Sequence, residues 1–374
     1  MKNILLKILT YFAKLILRNK KPLIIAITGS AGKTTTKEAI YTVLKSEPKF
    51  SRAVWQSFGN LNTEFGIPLA VAGMKVNEPQ KYHWIYIIPW MKLRILAILL
   101  GIIKYPKIII LELAADKPGD IKWLTSYIKP KIVVVTSVGP AHLKNYISID
   151  DIAQEKSILI SSCLEHGWVI LNKRDEFYSF MAEKVPEYCQ LITVDVPPEI
   201  SYIDYSRAVG KYFGIKMSDV DSALKKFKHP QGRMDIIKLK NNITLIDSSY
   251  NSNPLSLRVA LSNVDKLKRE IRPKRIIGII GDMLELGDHS EKFHRELTNH
   301  LKISLDYIVS VGNFSRMFNA DKHFATVEEA IDFVLKEIHP NDMILVKGSH
   351  GIRLDKIVVE IINNRNKLSE NRNE

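Results

Sequence analysis

The segment Ala26-Ile27-Thr28-Gly29-Ser30-Ala31-Gly32-Lys33-Thr34-Thr35-Thr36 follows an apolar run, Leu23-Ile24-Ile25, and its residue types suit the binding of a polyphosphate. Gly29 and Gly32 let backbone amides close around phosphate oxygens with no Cβ in the way. Lys33 supplies a point charge, and Thr34 a hydroxyl for a divalent cation. A helix expected over 35–44 points its positive end at the anion. Gly29, Ser30, Ala31, Gly32, Lys33, Thr34 and Thr35 are therefore candidate nucleotide-binding residues. The spacing is the short Gly-x-x-Gly-Lys-Thr form, with Ile27 where the longer phosphate loop carries a glycine.

Three further residues could join this chemistry. Glu112 is an acid at the end of an otherwise apolar run, Ile108-Ile109-Ile110-Leu111, where a buried carboxylate is costly unless paired or metal-bound. It could meet an Mg²⁺ held by Thr34, or be a partly exposed acid at a strand end. His142 follows the run 132–136, and Lys156 lies on the helix after it. By residue type alone, a lone loop histidine and a helix lysine are ordinary surface groups.

The elements that must position these residues alternate. Short β-branched strands are expected at 108–113, 132–136 and 168–171, with helices at 119–128 and 152–164 between them. This is the pattern of a parallel sheet covered on both faces. It restarts near Gln231: strands at 243–246, 275–280, 307–311 and 343–346 alternate with helices at 254–267, 290–301 and 327–338, and the tail from Asn363 is expected to fray. The fold class is α/β: a P-loop parallel-sheet ATPase domain, then a smaller doubly wound, Rossmann-like C-terminal domain. The divisions are 1–21, a basic amphipathic helix; 22–230, the central domain with an apolar insert at about 82–106; and 231–374, the C-terminal domain.

With 374 residues, 46% hydrophobic and 25% charged, the chain is long enough for two or three ordinary domains. Cys163 and Cys189 show no metal spacing and read as small apolar filler in a reducing compartment. The net charge of +14 admits nucleic acid, an anionic substrate or a membrane surface. No nucleic-acid-binding signature is present, so none is expected as a partner. In residues 1–18 the apolar positions 4, 5, 8, 9, 12, 15 and 16 share one helical face, with Lys7, Lys14 and Arg18 largely opposite. Such a helix can lie on an anionic bilayer or pack on its own domain. The stretch 84–103 is long and apolar, interrupted by Pro89, Lys92 and Arg94, and suits an interface more than a span.

Several motifs occur together in one order: Gly59-Asn60-Leu61-Asn62, Leu111-Glu112-Leu113, Ala141-His142-Leu143, Glu155-Lys156-Ser157, Gly232-Arg233, Asp247-Ser248-Ser249-Tyr250-Asn251-Ser252-Asn253-Pro254, Gly281-Asp282-Met283-Leu284-Glu285-Leu286-Gly287 and Val346-Lys347-Gly348-Ser349. By these motifs the chain resembles the Mur ligase family over residues 23–362, and within it the branch that joins D-alanyl-D-alanine to a UDP-muramoyl-tripeptide in peptidoglycan precursor synthesis. The resemblance implies an ATP-dependent ligase working through an acyl phosphate. Lys33 and the loop amides would hold the β- and γ-phosphates, Thr34 and Glu112 one Mg²⁺, and His142 and Lys156 a second. Lys156 would be carbamylated. Arg233, arriving from the second domain, would reach the γ-phosphate. Asp247, Asn251 and Asn253 would contact the nucleotide. Asn60, Asn62, Lys347 and Ser349 would serve the substrate.

The resemblance implies a monomeric cytoplasmic enzyme, and the basic helix a peripheral place on the inner membrane face. Residues 1–22 leave no room for the family's N-terminal UDP-binding domain. The stretch 171–232 is short for the family. His350 stands where relatives often have arginine, and Asp247-Ser248 where they often pair two acids. Other readings therefore stay open: a folylpolyglutamate, cyanophycin or poly-γ-glutamate ligase of the same superfamily, or a membrane-associated ATP-binding protein without ligase activity.

Overall fold

The computed structural model describes residues 2–76 and 83–367, which form two compact units. Unit 1 holds residues 1–138 and 148–227; unit 2 holds 139–147 and 228–374. The start of the apolar insert at 82 and the end of the expected frayed tail, 368–374, lie outside the described residues.

In unit 1 the chain runs α1 (Lys2–Lys20), β1 (Leu23–Thr28), α2 (Lys33–Ser46), β2 (Val54–Gln56), α3 (Gly66–Val71), α4 (Trp84–Leu99), β3 (Ile108–Glu112) and α5 (Asp120–Thr125). It continues through β4 (Ile132–Val135), α6 (Ile149–Ser161), β5 (Trp168–Asn172), α7 (Tyr178–Ala182), β6 (Gln190–Val194), α8 (Ser201–Tyr212) and α9 (Met217–Lys225). The strands make one parallel sheet in the order β2-β3-β1-β4-β5-β6. β1 and β3 are apolar over nearly their whole length because both faces are covered. One cover is α2 with α8 and α9, where Ile40, Val43, Leu44, Tyr205, Val209 and Val220 meet Ile25, Ile27 and Ile110. α5 packs on α6.

In unit 2 the order is β7 (Asp235–Leu239), β8 (Ile243–Ser248), α10 (Pro254–Ile271), β9 (Arg275–Gly281), α11 (Ser290–Ser304), β10 (Tyr307–Val311), β11 (Lys322–Phe324), α12 (Val327–Glu337), β12 (Asp342–Lys347) and α13 (Asp355–Lys367). Its sheet runs β11-β10-β9-β12-β8-β7, parallel except for the antiparallel edge β7. That edge alternates half-buried and exposed residues, as a strand covered on one face does. α12 and α13 bury Val327, Ala330, Val334, Ile357 and Ile361 on the sheet, and α10 packs against α11.

Several boundaries differ from expectation for local reasons. α2 begins at Lys33, because Gly32, at φ 80°, turns the chain directly into the helix. α6 begins at Ile149, because Ser148 and Asp151 form a reciprocal capping box. α13 continues through Asn363 to Lys367, correcting the expected fray at those residues. α1 is not a separate piece. Leu9, Ala13 and Ile16 are fully buried, and the helix packs against α3 and α4, so unit 1 covers much of the apolar face. The segment 139–147 belongs with unit 2: Lys144 N donates to Glu285 O at 3.0 Å, and His142 Nδ1 lies 2.9 Å from Glu285 Oε2.

Tyr205 is fully buried on α8, and its hydroxyl donates to Thr136 O at 3.0 Å, steadying the loop after β4. Tyr205→Phe leaves that carbonyl without this donor and is expected to cost about 1–2 kcal/mol, read as a lower urea midpoint. An unchanged midpoint would show that the loop does not depend on it.

Candidate active site

The loop between β1 and α2 is built for an anion. No side chain caps the start of α2, and the positive end of a helix that follows a glycine turn suits an anion. Gly29 sits at φ 148°, and a Cβ there would fall 1.9 Å from Thr136 Oγ1. The residues after β4 form the shelf beneath it. Ser30 N donates to Ser137 O at 2.8 Å, and Ala31 N to Ser137 Oγ at 3.1 Å. Lys33 folds back so that Nζ donates to Gly29 O at 2.7 Å. Thr136 and Ser137 escaped sequence analysis; the available signal was a polar pair ending the apolar strand β4.

β1 pairs with β3 so that Ile27 faces Glu112, which brings the carboxylate beside the start of α2. Glu112 is 2% exposed. Thr34 Oγ1 donates to its Oε2 at 2.7 Å, Asn62 Nδ2 donates to its Oε1 at 3.0 Å, and Lys37 Nζ lies 4.0 Å from Oε2. The partly exposed strand-end reading is thereby corrected. A hydroxyl and a carboxylate in contact form an all-oxygen set that suits Mg²⁺, which takes one or two protein ligands and completes its shell with phosphate and water. Among the described residues, no group of three or more His, Cys, Asp and Glu could hold a metal without such help. Lys37 also went unnoticed in sequence, being one lysine in a helix. Fully buried, it donates to Ser57 O at 2.9 Å and Gly59 O at 3.3 Å, steadying the turn that leads to Asn60. Asn60 is half-buried there.

Lys156, on α6, is 2% exposed. Burial, with the Lys33 charge, pushes its ammonium down to about 7, against an opposing pull from Asp116 and Glu155. Glu155 accepts from Gly119 N at 2.9 Å and Ile121 N at 2.7 Å, fixing the start of α5. Thr34, Glu112 and Lys156 thus belong to unit 1, while His142 belongs to unit 2 beside Glu285.

Unit 2 gathers the remaining candidates at the ends of β8 and β12. Arg233 stacks on Tyr250, its guanidinium carbon 4.0 Å from the ring centre. Lys347 is buried; its Nζ donates to Asn251 O at 3.0 Å, and burial with the nearby Arg233 charge brings its pKa down to about 7. Asp247 accepts from Ser249 N at 3.0 Å and Ser249 Oγ at 2.6 Å. Asn251 is exposed, with Oδ1 taking Ser252 N at 2.9 Å. Asn253 is the N-cap of α10, its Oδ1 accepting from Ser256 N at 2.8 Å. Ser349 Oγ joins Ser252 O at 3.2 Å to Leu284 N at 2.9 Å. The Gly281–Gly287 motif is held by burial. Asp282 accepts from the amides of Asn313, Phe314 and Ser315, and His294 Nε2 accepts from Met283 N at 3.0 Å. Desolvation lowers the pKa of His294 and keeps that ring an acceptor.

A model of the Mur ligase middle domain matches residues 27–82 and 93–237, and one of the Mur ligase glutamate ligase domain matches 232–350. The chain belongs to the Mur ligase family. This is a family of ATP-dependent ligases. The UDP-N-acetylmuramoyl-tripeptide–D-alanyl-D-alanine ligase of Bacillus subtilis is 26% identical over 95% of this chain and 79% of its own length. Among solved structures, MurF from Acinetobacter baumannii superposes with a TM-score of 0.76 at 23% identity, over 96% of this chain and 80% of that one. MurF from Thermotoga maritima in complex with ADP gives 0.76 at 22% identity, over 97% and 84%. These structures share the fold of this family member.

Two predictions follow from the loop and the buried lysine. Gly29→Ala is expected to weaken ATP binding by about tenfold or more, each factor of ten being about 1.4 kcal/mol, as read by calorimetric titration; unaltered affinity would dismiss the close approach of Thr136. Lys156 has a folded pKa near 7 against an ordinary 10.5, so between these values the unfolded chain holds the extra proton. Stability should therefore rise with pH over that window and, below it, carry the full cost of a buried ammonium. In urea titrations in CO₂-free buffer, the wild type should gain on Lys156→Met from pH 7 to 10. Parallel profiles would contradict the burial.

Proposed function

We propose that this Mur ligase family member joins D-alanyl-D-alanine to a UDP-muramoyl-tripeptide at the expense of ATP, in peptidoglycan precursor synthesis in the cytoplasm. The observation that carries the chemistry is the contact of Thr34 with buried Glu112 at the mouth of the Gly29–Lys33 phosphate loop. The substrate assignment is supported by the curated relatives and by the motifs at 247–254 and 281–287.

In this reading an oxygen of the peptide carboxylate attacks the γ-phosphorus, the bond to the ADP oxygen breaks, and an acyl phosphate forms. The amine of D-alanyl-D-alanine then attacks the acyl carbon. The amine loses a proton, the carbon–oxygen bond to phosphate breaks, and an amide remains. Mg²⁺, held by Thr34 and Glu112, would neutralise phosphate charge when bound. Lys33 orients the terminal phosphates, and Arg233 is the proposed second cation for the transferred group. Lys156 suits carbamylation because a buried amine with a pKa near 7 is substantially neutral at physiological pH. Its lone pair adds to CO₂, one proton leaves, and a carboxylate-like oxygen pair takes the place of the neutral amine, which would suit a second Mg²⁺ with His142 as the other proposed ligand. Asn60, Asn62, Lys347 and Ser349 are the proposed substrate-side residues, and Asp247, Asn251 and Asn253 the proposed nucleotide contacts. The enzyme is proposed to act as a monomer.

The test is phosphate release with ATP, Mg²⁺, UDP-muramoyl-tripeptide and D-alanyl-D-alanine, with mass spectrometry of the product. A UDP-muramoyl-pentapeptide is expected, and Lys33→Ala should lower turnover by about 10²–10³. ATP turnover with no pentapeptide would overturn the substrate assignment.

A further inference from the structure

We propose that α4 and the basic hollow beside it form a docking surface for an anionic lipid bilayer. α4 is apolar on both sides. Ile87, Met91, Ile95 and Ile98 face inward and are buried. On the outer side Ile85 is 72% exposed, Tyr86 76%, Trp90 50% and Leu93 67%; Leu96 and Leu100 continue the row. A helix apolar all round is normally buried, and an uncovered row of this size marks a contact surface. The helix is also firmly placed. Arg94 Nε donates to Ala72 O at 2.6 Å, and Tyr105, just beyond it, donates to Val71 O at 2.7 Å. The middle-domain model passes over residues 83–92, so the exposed aromatics of α4 fall outside what it matches.

Charge selects the occupant. Residues 1–37 and 79–111 contain no Asp or Glu. The end of α1 and the chain after α4 border a shallow, open hollow of about 680 Å³ whose lining includes Lys20, Lys21, Lys104, Lys107 and Tyr105. Exposed Lys7, Lys14 and Arg18 on α1, which packs against α4, and Lys92 on α4 itself extend the same sign. Tryptophan and tyrosine with aliphatic neighbours suit the headgroup boundary, and clustered lysines suit anionic headgroups. No described helix is long and apolar enough to cross a membrane, so α4 lies in the plane of the interface. On α1, Leu9, Ala13 and Ile16 are buried against the protein, whereas the outer row of α4, within the stretch 84–103 that reads as interfacial, is left exposed.

The experiment is co-sedimentation of the full chain with vesicles of equal parts phosphatidylglycerol and phosphatidylcholine, and with phosphatidylcholine alone. The wild type should pellet with the mixed vesicles, less so as salt rises, and stay largely in the supernatant with the neutral ones. Leu93→Glu with Leu96→Glu, both exposed, should reduce pelleting by about tenfold or more at an unchanged melting temperature. Changing Lys20, Lys21, Lys104 and Lys107 to Gln should lose the preference for anionic vesicles, each lysine being worth roughly fivefold. Wild-type protein left in the supernatant with mixed vesicles overturns the proposal. So does either variant binding like wild type, or a wild-type dimer in sedimentation velocity that the Glu pair dissociates, since a second copy would then cover the face.

Discussion

A carboxylate buried at a strand end is costly unless its oxygens are satisfied, and Glu112 sets this requirement for unit 1. Its neighbours meet it from separate parts of the chain: a hydroxyl from the first turn of α2, an amide from the loop at Asn62, and the Lys37 ammonium from one turn further along α2. All three converge because β3 lies beside β1 in a parallel sheet, so the strands deliver their ends to the same edge. The cluster that makes Glu112 tolerable thereby also fixes Thr34 and the start of the phosphate loop. On the other side of β1, β4 ends in Thr136 and Ser137, whose backbone and hydroxyls hold the loop from beneath. The site follows from where three neighbouring strands stop.

Unit 2 repeats the principle with different partners. Asp282, just after β9, and Asp247, near the end of β8, are both buried and satisfied by loop amides and a serine hydroxyl, and Lys347 is buried with the Arg233 charge near enough to lower its pKa. The Gly281–Gly287 loop serves architecture as much as chemistry, since it ties down His142 and the segment around it.

Much of this was legible in the residues. The phosphate loop, the acid at the end of an apolar strand and the α/β alternation all rest on local chemistry or short-period patterning. The bond partners were not legible. The cap that Asn253 makes on α10, and the bridge that Ser349 makes between Ser252 and Leu284, have no signature in the residues themselves. Lys37 is indistinguishable from a solvated lysine without knowing that the turn at Ser57–Gly59 and the end of β3 meet its ammonium. Periodicity also identifies an apolar face without saying what covers it; for α1 part of that cover is α3 and α4.

The most direct measurement follows the oxygen. With the terminal carboxylate of the acceptor peptide enriched in ¹⁸O, formation of an acyl phosphate transfers one label to the released phosphate, and mass spectrometry should find each phosphate singly labelled. Unlabelled phosphate, released at the rate of amide formation, would contradict carboxylate activation at the Glu112 site.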